Sequence, residues 1–187
     1  FRNKISDFPK AKFLIVKESK FKEINKIIGK LNTKIKIGIS WKSKNETYGV
    51  DKSLNLDLLL PILKLEEFSF INLQYGDTAN EIKNFYNNHK LKILNIKEVD
   101  LFNDFEAIAA LLKNLDLLIT VSNSTAHLAG SLGVHTWLIK PKNHVTLHYW
   151  NQPGNTTPWY SSIKLFSYKN AWEETIMDIK NELLKKF

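Results

Sequence analysis

Ser122, Asn123, Ser124, Thr125 and His127 place hydroxyl, amide and imidazole groups within six residues. They lie between apolar runs at 119–121 and 134–139, which read as buried strands, and residues after the turn read as a short helix. The first amides of a helix have no internal acceptor, and the helix dipole adds partial positive charge there. Small side chains leave those amides open to an anion, so the turn is a candidate phosphate cradle, with His127 one turn further on. Ser, Thr and Asn are also ordinary helix caps, and a purely structural turn is the alternative.

A second candidate group is the lysine-bearing loop at 42–53, with Lys42, Lys44 and Lys52. An ammonium group is a good point-charge partner for phosphate; a solvated basic loop explains the same residues without a ligand. Trp150, Trp159 and Tyr160 fall in a long loop, where they either stack on a base or sugar or pack the loop down. His144 and His148 are four apart, but no HExxH frame or nearby carboxylate completes a metal site, and none is expected. Asp100 and Asp104 read as a loop residue and a helix cap rather than an acid–base pair. There is no GxGxxG, no GxxxxGK[ST] and no GxSxG, which disfavours dinucleotide dehydrogenases, P-loop NTPases and serine hydrolases of the elbow type. The lack of cysteine excludes disulfides, thiolate metal sites and a cysteine nucleophile.

Positioning these groups takes a sheet. From residue 34 onward the chain alternates apolar runs with amphipathic stretches: strands at 34–41, 68–74, 91–96, 115–121, 134–139 and 163–166. Helices are expected at 54–63, from Gly76 and Asp77 to about 87, at 104–114, after Ser122, and at 171–187, with Pro61 a difficulty near the end of the first. Such alternation implies βαβ units around a mainly parallel sheet with helices on both faces. Ligands then bind beyond the carboxyl ends of the strands, where the polar loops fall. Ahead of this core, residues 1–33 hold one apolar stretch, at 13–16, and one helix over 18–31 with Phe21, Ile24, Ile27, Ile28 and Leu31 on one face.

The 187 residues, 43% hydrophobic and 25% charged, suit one soluble domain. The formal charge of +8 is mostly lysine spread along the chain. Abundant Ile and Asn point to an AT-rich coding bias, and no arginine-rich block or RNP-like signature indicates nucleic acid. No run is long enough for a membrane span and no signal peptide is visible, so a cytoplasmic location is expected. A first residue of Phe rather than Met suggests a piece of a longer chain.

Taken in order, Gly38, Ile39, Ser40 and Trp41; Phe70 to Gln74 and Gly76; Asp104 and Phe105; Ala109 to Leu111; Leu115 to Ile119; the 122–133 turn and helix; and Pro158, Trp159, Tyr160, Ser161, Leu165 and Phe166 resemble the nucleotide-sugar-binding half of a GT-B glycosyltransferase. The resemblance is to the heptosyltransferase-like proteins of glycosyltransferase family 9, often fused behind tetratricopeptide repeats in bacteria, and more distantly to bacterial relatives of O-GlcNAc transferase. It covers roughly residues 34–186. It implies a Rossmann-like donor domain at 34–187, with 1–33 as an interdomain linker strand and helix, closed over by an N-terminal acceptor domain or joined to repeats. The family's central turn commonly reads Asp-[Ser/Thr]-x-x-x-His-Leu-Ala; here Ser122 replaces the aspartate and His127 matches the histidine. The resemblance assigns the donor diphosphate to Ser43, Lys52, Ser122, Asn123, Ser124, Thr125 and His127, and the nucleoside or sugar to Trp41, Gln74, Lys140 and His144. It implies metal-independent transfer from a nucleotide-sugar, used as substrate with no cofactor. The catalytic base usually comes from the other domain, and no residue here is assigned to it. The alternative is a non-catalytic nucleotide- or sugar-binding module.

Overall fold

The computed structural model describes residues 4, 7, 8, 13–31, 35–141 and 145–187. Five strands form one sheet in the order β2-β1-β3-β4-β5, with every neighbouring pair parallel. They are β1 (Ile35–Ser40), β2 (Phe68–Asn72), β3 (Leu117–Val121), β4 (Thr136–Lys140) and β5 (Ile163–Ser167). The sheet reverses direction of growth between β1 and β3, the point at which an open α/β sheet leaves a crevice at its carboxyl edge.

Helices cover both faces. On one face, α3 (Leu60–Leu63) and α7 (Trp172–Lys186) pack over Ile37, Ile39, Leu117, Ile119 and Trp137. On the other, α1 (Glu18–Ile28), α5 (Phe105–Lys113) and α6 (Ser124–Ser131) pack over Ile71, Leu73 and Leu118. Alternate residues of β1, β2 and β3 therefore serve two different cores, as the period of a strand requires. Gly38 is fixed by this packing: a Cβ there would run into the Leu73 and Leu115 side chains. Ile24 and Ile28 of α1 are fully buried against α5. Residues 14–17 join no strand; instead the Phe13 and Leu14 amides both donate to the Ser131 carbonyl at the end of α6, at 2.9 and 3.1 Å.

Several sequence expectations change in detail. The strand expected at 91–96 is a single bridge, Ile71 to Leu94. Leu94 accepts from Asn72 N and donates to Phe70 O, both at 2.8 Å, and the next link is a side-chain bond from Asn72 Nδ2 to Asn95 Oδ1. The ladder gives way to side chains, so the segment leaves the edge. The helix expected at 54–63 is a 3₁₀ turn, Leu56–Leu59, running into α3. Pro61 lies in the first turn of α3, where a missing N–H costs nothing. The helix expected from Gly76 starts later, as α4 (Ala79–His89), because Gly76 adopts a positive φ of 89° that turns the chain first. The loop expected at 42–53 contains one helical turn, α2 (Gly49–Lys52).

Candidate functional site

The site is built on the carboxyl ends of β1, β2 and β3. Asn123 caps α6, its Oδ1 accepting from Ala126 N and Thr120 Oγ1, both at 3.2 Å. Its Nδ2 donates to Ser40 Oγ at 2.8 Å and to the Lys42 carbonyl at 3.1 Å. Ser40 in turn donates to Gln74 Oε1, which also accepts the Trp41 and Lys42 amides at 2.8 and 2.7 Å. Gln74 Nε2 donates to the Tyr75 carbonyl. Ser40, Gln74, Thr120 and Asn123 are all buried, and each buried polar group here has a partner, as stability demands. This network ties three strand ends together and fixes where the next loop departs.

The loop after β1 folds back on itself. Asn45 Oδ1 accepts the Thr47 and Tyr48 amides. Ser53 Oγ accepts Ser43 N at 3.0 Å and donates to the Gly49 carbonyl. Gly49 approaches so closely that a Cβ would sit 2.6 Å from Ser43 O. Leu54 N then returns to the Trp41 carbonyl at 2.8 Å. The closure brings α2, and Lys52 at its end, back to the strand end it started from.

Lys52 is only 5% exposed. Among the described residues its ammonium meets no carboxylate and no hydrogen-bond acceptor; the Tyr48 ring centroid lies 5.9 Å away. Burial alone pushes its pKa down, since an unpaired charge is costly out of water. His127 is half-buried, and burial, then the nearby His148, then the nearby Lys52 hold it below the ordinary histidine value. Lys52 and His127 thus share one electrostatic environment. α6, the helix that carries His127, begins with the Ser124 and Thr125 amides, for which no acceptor is present among the described residues. A buried lysine, an imidazole held toward its neutral form and helix-start amides are each groups suited to receive an anion.

The remaining expected site residues divide plainly. Ser122, Asn123 and Gln74 turn their side chains into the scaffold; Ser122 Oγ accepts the Trp150 indole N–H at 2.9 Å. Ser124 is exposed and Thr125 buried, and both line a small cavity of about 200 Å³ with Tyr75, Phe102 and Phe105. Trp41 is buried in the core and donates its indole N–H to Glu81 at 3.2 Å. Lys42 is paired with the same Glu81 at 2.7 Å, and Lys44 lies across Gly76, so neither stands where Lys52 does. Ser43 lines a groove of about 590 Å³ with Lys44, Asn55, Tyr75 and Asp77. Lys140 ends β4, buried, one register step beyond the Val121–Ile139 pair and so level with Ser122. His144 lies outside the described residues. Trp150 and Tyr160 pack around His127, at ring separations of 4.8 and 5.8 Å, and Trp159 packs on Tyr149, so these aromatics hold the loop down. The sequence reading passed over Tyr160 as a partner of His127; its place in the same aromatic run as Trp159 was the available signal. Among the described residues no cluster of three His, Cys, Asp or Glu is placed to hold a metal ion, and no helix is long and apolar enough to cross a membrane.

This geometry defines an α/β fold of the Rossmann-like type with its crevice at the sheet's carboxyl edge. The chain has the fold found in one half of GT-B glycosyltransferases. It superposes on a glycosyl transferase family 9 structure from Veillonella parvula with a TM-score of 0.67 at 11% identity, covering 93% of this chain and 54% of that one. It superposes on the ADP-heptose LPS heptosyltransferase II of E. coli with a TM-score of 0.61 at 13% identity, covering 96% of this chain and 54% of that one. In sequence it is 31% identical over 151 residues to Protein FlbA of Caulobacter vibrioides, covering 79% of this chain and 24% of that protein. The chain therefore spans about half the length of these two solved structures and about a quarter of FlbA. No protein-family model matches it.

Proposed function

We propose that this chain is the donor-binding half of a metal-independent glycosyltransferase that moves a sugar from a nucleotide-sugar to an acceptor hydroxyl. The observation that carries the reading is Lys52, a buried ammonium with no carboxylate partner among the described residues, close enough to His127 of α6 to act on its charge. A nucleotide diphosphate leaving group gathers negative charge as the sugar bond breaks. Lys52, the Ser124 and Thr125 amides and His127 stabilise that charge in place, with no reorganisation at the moment of reaction. Trp41, Ser122, Asn123 and Gln74 shape the crevice, while Ser43 and Lys140 stand at its rim as contacts for the nucleoside or sugar. The acceptor and its base come from an N-terminal acceptor domain in a longer, cytoplasmic protein, in which tetratricopeptide repeats are the other expected neighbour. Positioning by that second half supplies the effective molarity that a lone half lacks, so residues 1–187 alone bind donor and transfer nothing.

Calorimetric titration with nucleoside diphosphates tests the reading. Weak binding is expected, and Lys52→Ala and His127→Ala should each lower it by about 1–3 kcal/mol, the scale of one charge-assisted hydrogen bond. Identical titrations for wild type and both variants would refute the site. Replacement of the family's aspartate by Ser122 favours one second reading, a binding module without turnover. Transfer by a longer natural chain, assayed with a panel of donors and acceptors, separates the two.

A further inference from the structure

We infer that Tyr160 is a positioning residue that sets the tautomer of His127, so that His127 presents Nε2–H to the anion site. The inference rests on the donor-diphosphate reading above for its anion, but its geometry is independent of it. Tyr160 Oη lies 3.1 Å from His127 Nδ1. The contact depends on Gly130, one turn along the same face of α6. A Cβ at Gly130 would stand 2.5 Å from Tyr160 Cγ and 2.6 Å from Cδ1, so only glycine lets the ring lie across the helix and reach the imidazole. The ring is held from its other sides by Tyr149 and Trp150, at centroid separations of 6.5 and 5.9 Å.

The direction of the hydrogen bond follows from the donors available. Ser131 Oγ gives its proton to the His127 carbonyl at 2.8 Å and also lies within hydrogen-bond reach of the Tyr160 hydroxyl. The phenol proton therefore has two acceptors within reach, Ser131 Oγ and His127 Nδ1; the imidazole nitrogen is much the stronger base, and a phenol is a better donor to it than the reverse. Nδ1 is the acceptor, and the ring proton resides on Nε2, which has no protein partner among the described residues. A neutral imidazole has one donor nitrogen and one acceptor nitrogen. Without Tyr160 either tautomer is open to it, and the wrong one aims a lone pair at a phosphate. Burial first, then the nearby His148 and Lys52, hold the ring toward its neutral form, so tautomer rather than charge is what remains to be fixed.

The test is long-range ¹H–¹⁵N correlation on histidine-labelled protein at neutral pH, which reads the tautomer with no ligand present. We expect the Nε2–H form for His127 in the wild type. Tyr160→Phe keeps the ring and removes the proton; Gly130→Ala keeps the phenol and pushes it off. Both should yield a mixture of tautomers, and both should weaken nucleoside diphosphate binding about three- to tenfold. In a His127→Ala background, Tyr160→Phe should change nothing further. An Nδ1–H wild type, a tautomer unmoved by Tyr160→Phe, or an equal loss on adding Tyr160→Phe to His127→Ala would each overturn the inference. Absence of any diphosphate binding by wild type, with the tautomer pattern as expected, would refute the donor reading and with it the role toward an anion, leaving the tautomer assignment itself measured.

Discussion

Two groups of polar residues lie side by side on the carboxyl edge of this sheet, and they are opposites. Around Ser40, Gln74, Thr120 and Asn123 the buried donors and acceptors are matched with one another. At Lys52 and at the start of α6 they are not: among the described residues a buried ammonium and two amides meet no acceptor. The first group is closed and holds strand ends in place. The second is open, and an unpaired buried charge costs the free protein stability. Polarity at the edge of such a sheet is thus no guide to function by itself; the state of hydrogen-bond satisfaction is.

The contrast has consequences of opposite sign. Gln74→Ala strips the acceptor from two amides and a hydroxyl at once, and we expect about 3 kcal/mol or more of lost stability in denaturant unfolding, since each orphaned buried group costs about 1–3 kcal/mol. Asn123→Ala should follow at about 2 kcal/mol, combining a lost cap with a lost strand tie. Lys52→Met should do the reverse, leaving stability equal or up to about 1 kcal/mol higher because an unpaired buried charge is gone, while abolishing the lysine's share of anion affinity. A Lys52→Met protein as unstable as Gln74→Ala would erase the distinction between the two groups.

Acid should act through the open group. His127 has a folded pKa below its unfolded one because burial, His148 and Lys52 disfavour its charged form. The unfolded chain therefore binds the extra proton first. Stability is fully present above about pH 6.5, the ordinary histidine value, and is lost as the pH falls from there through the lowered folded pKa. His135, lowered by burial and by Lys186, contributes in the same sense. His127→Asn should flatten part of that decline when melting temperature is followed from pH 7.5 to 5. The smallest effect is expected at Ser124: its side chain is exposed, and Ser124→Ala should change stability by less than about 0.5 kcal/mol.

The fold was legible because burial writes itself into the sequence as periodicity. The alternating apolar runs at 35–41 and 117–121 and the two-sided apolar helix at 105–113 leave few options besides a parallel sheet covered on both faces. The strand expected at 91–96 failed because apolar spacing cannot say whether an edge has room for one more ladder; Asn72 and Asn95 decide that through a side-chain bond. The site was legible only as a set of candidates. Types and spacing offered Lys42, Lys44 and Lys52 beside the 122–125 turn and His127, and the family resemblance singled out Lys52, but nothing in the order of residues says that Ser122 would be taken by Trp150, Gln74 by the Trp41 and Lys42 amides, or Lys42 by Glu81. Those assignments depend on residues some thirty to forty positions away, and only the folded chain makes the pairings.

The rims of the sheet have their own consequence. On the β2 side Leu94 makes its one pair of backbone bonds. On the β5 side the Leu165 amide is taken by the Asn155 carbonyl, and Thr156 bridges Lys164 in the antiparallel sense. Each outermost strand is blunted by a short piece of its own chain, which denies an incoming molecule a continuous row of backbone groups on which to register. Crowded copies of this protein meet at capped margins, and unlimited growth of one sheet from molecule to molecule is obstructed where it would have to begin.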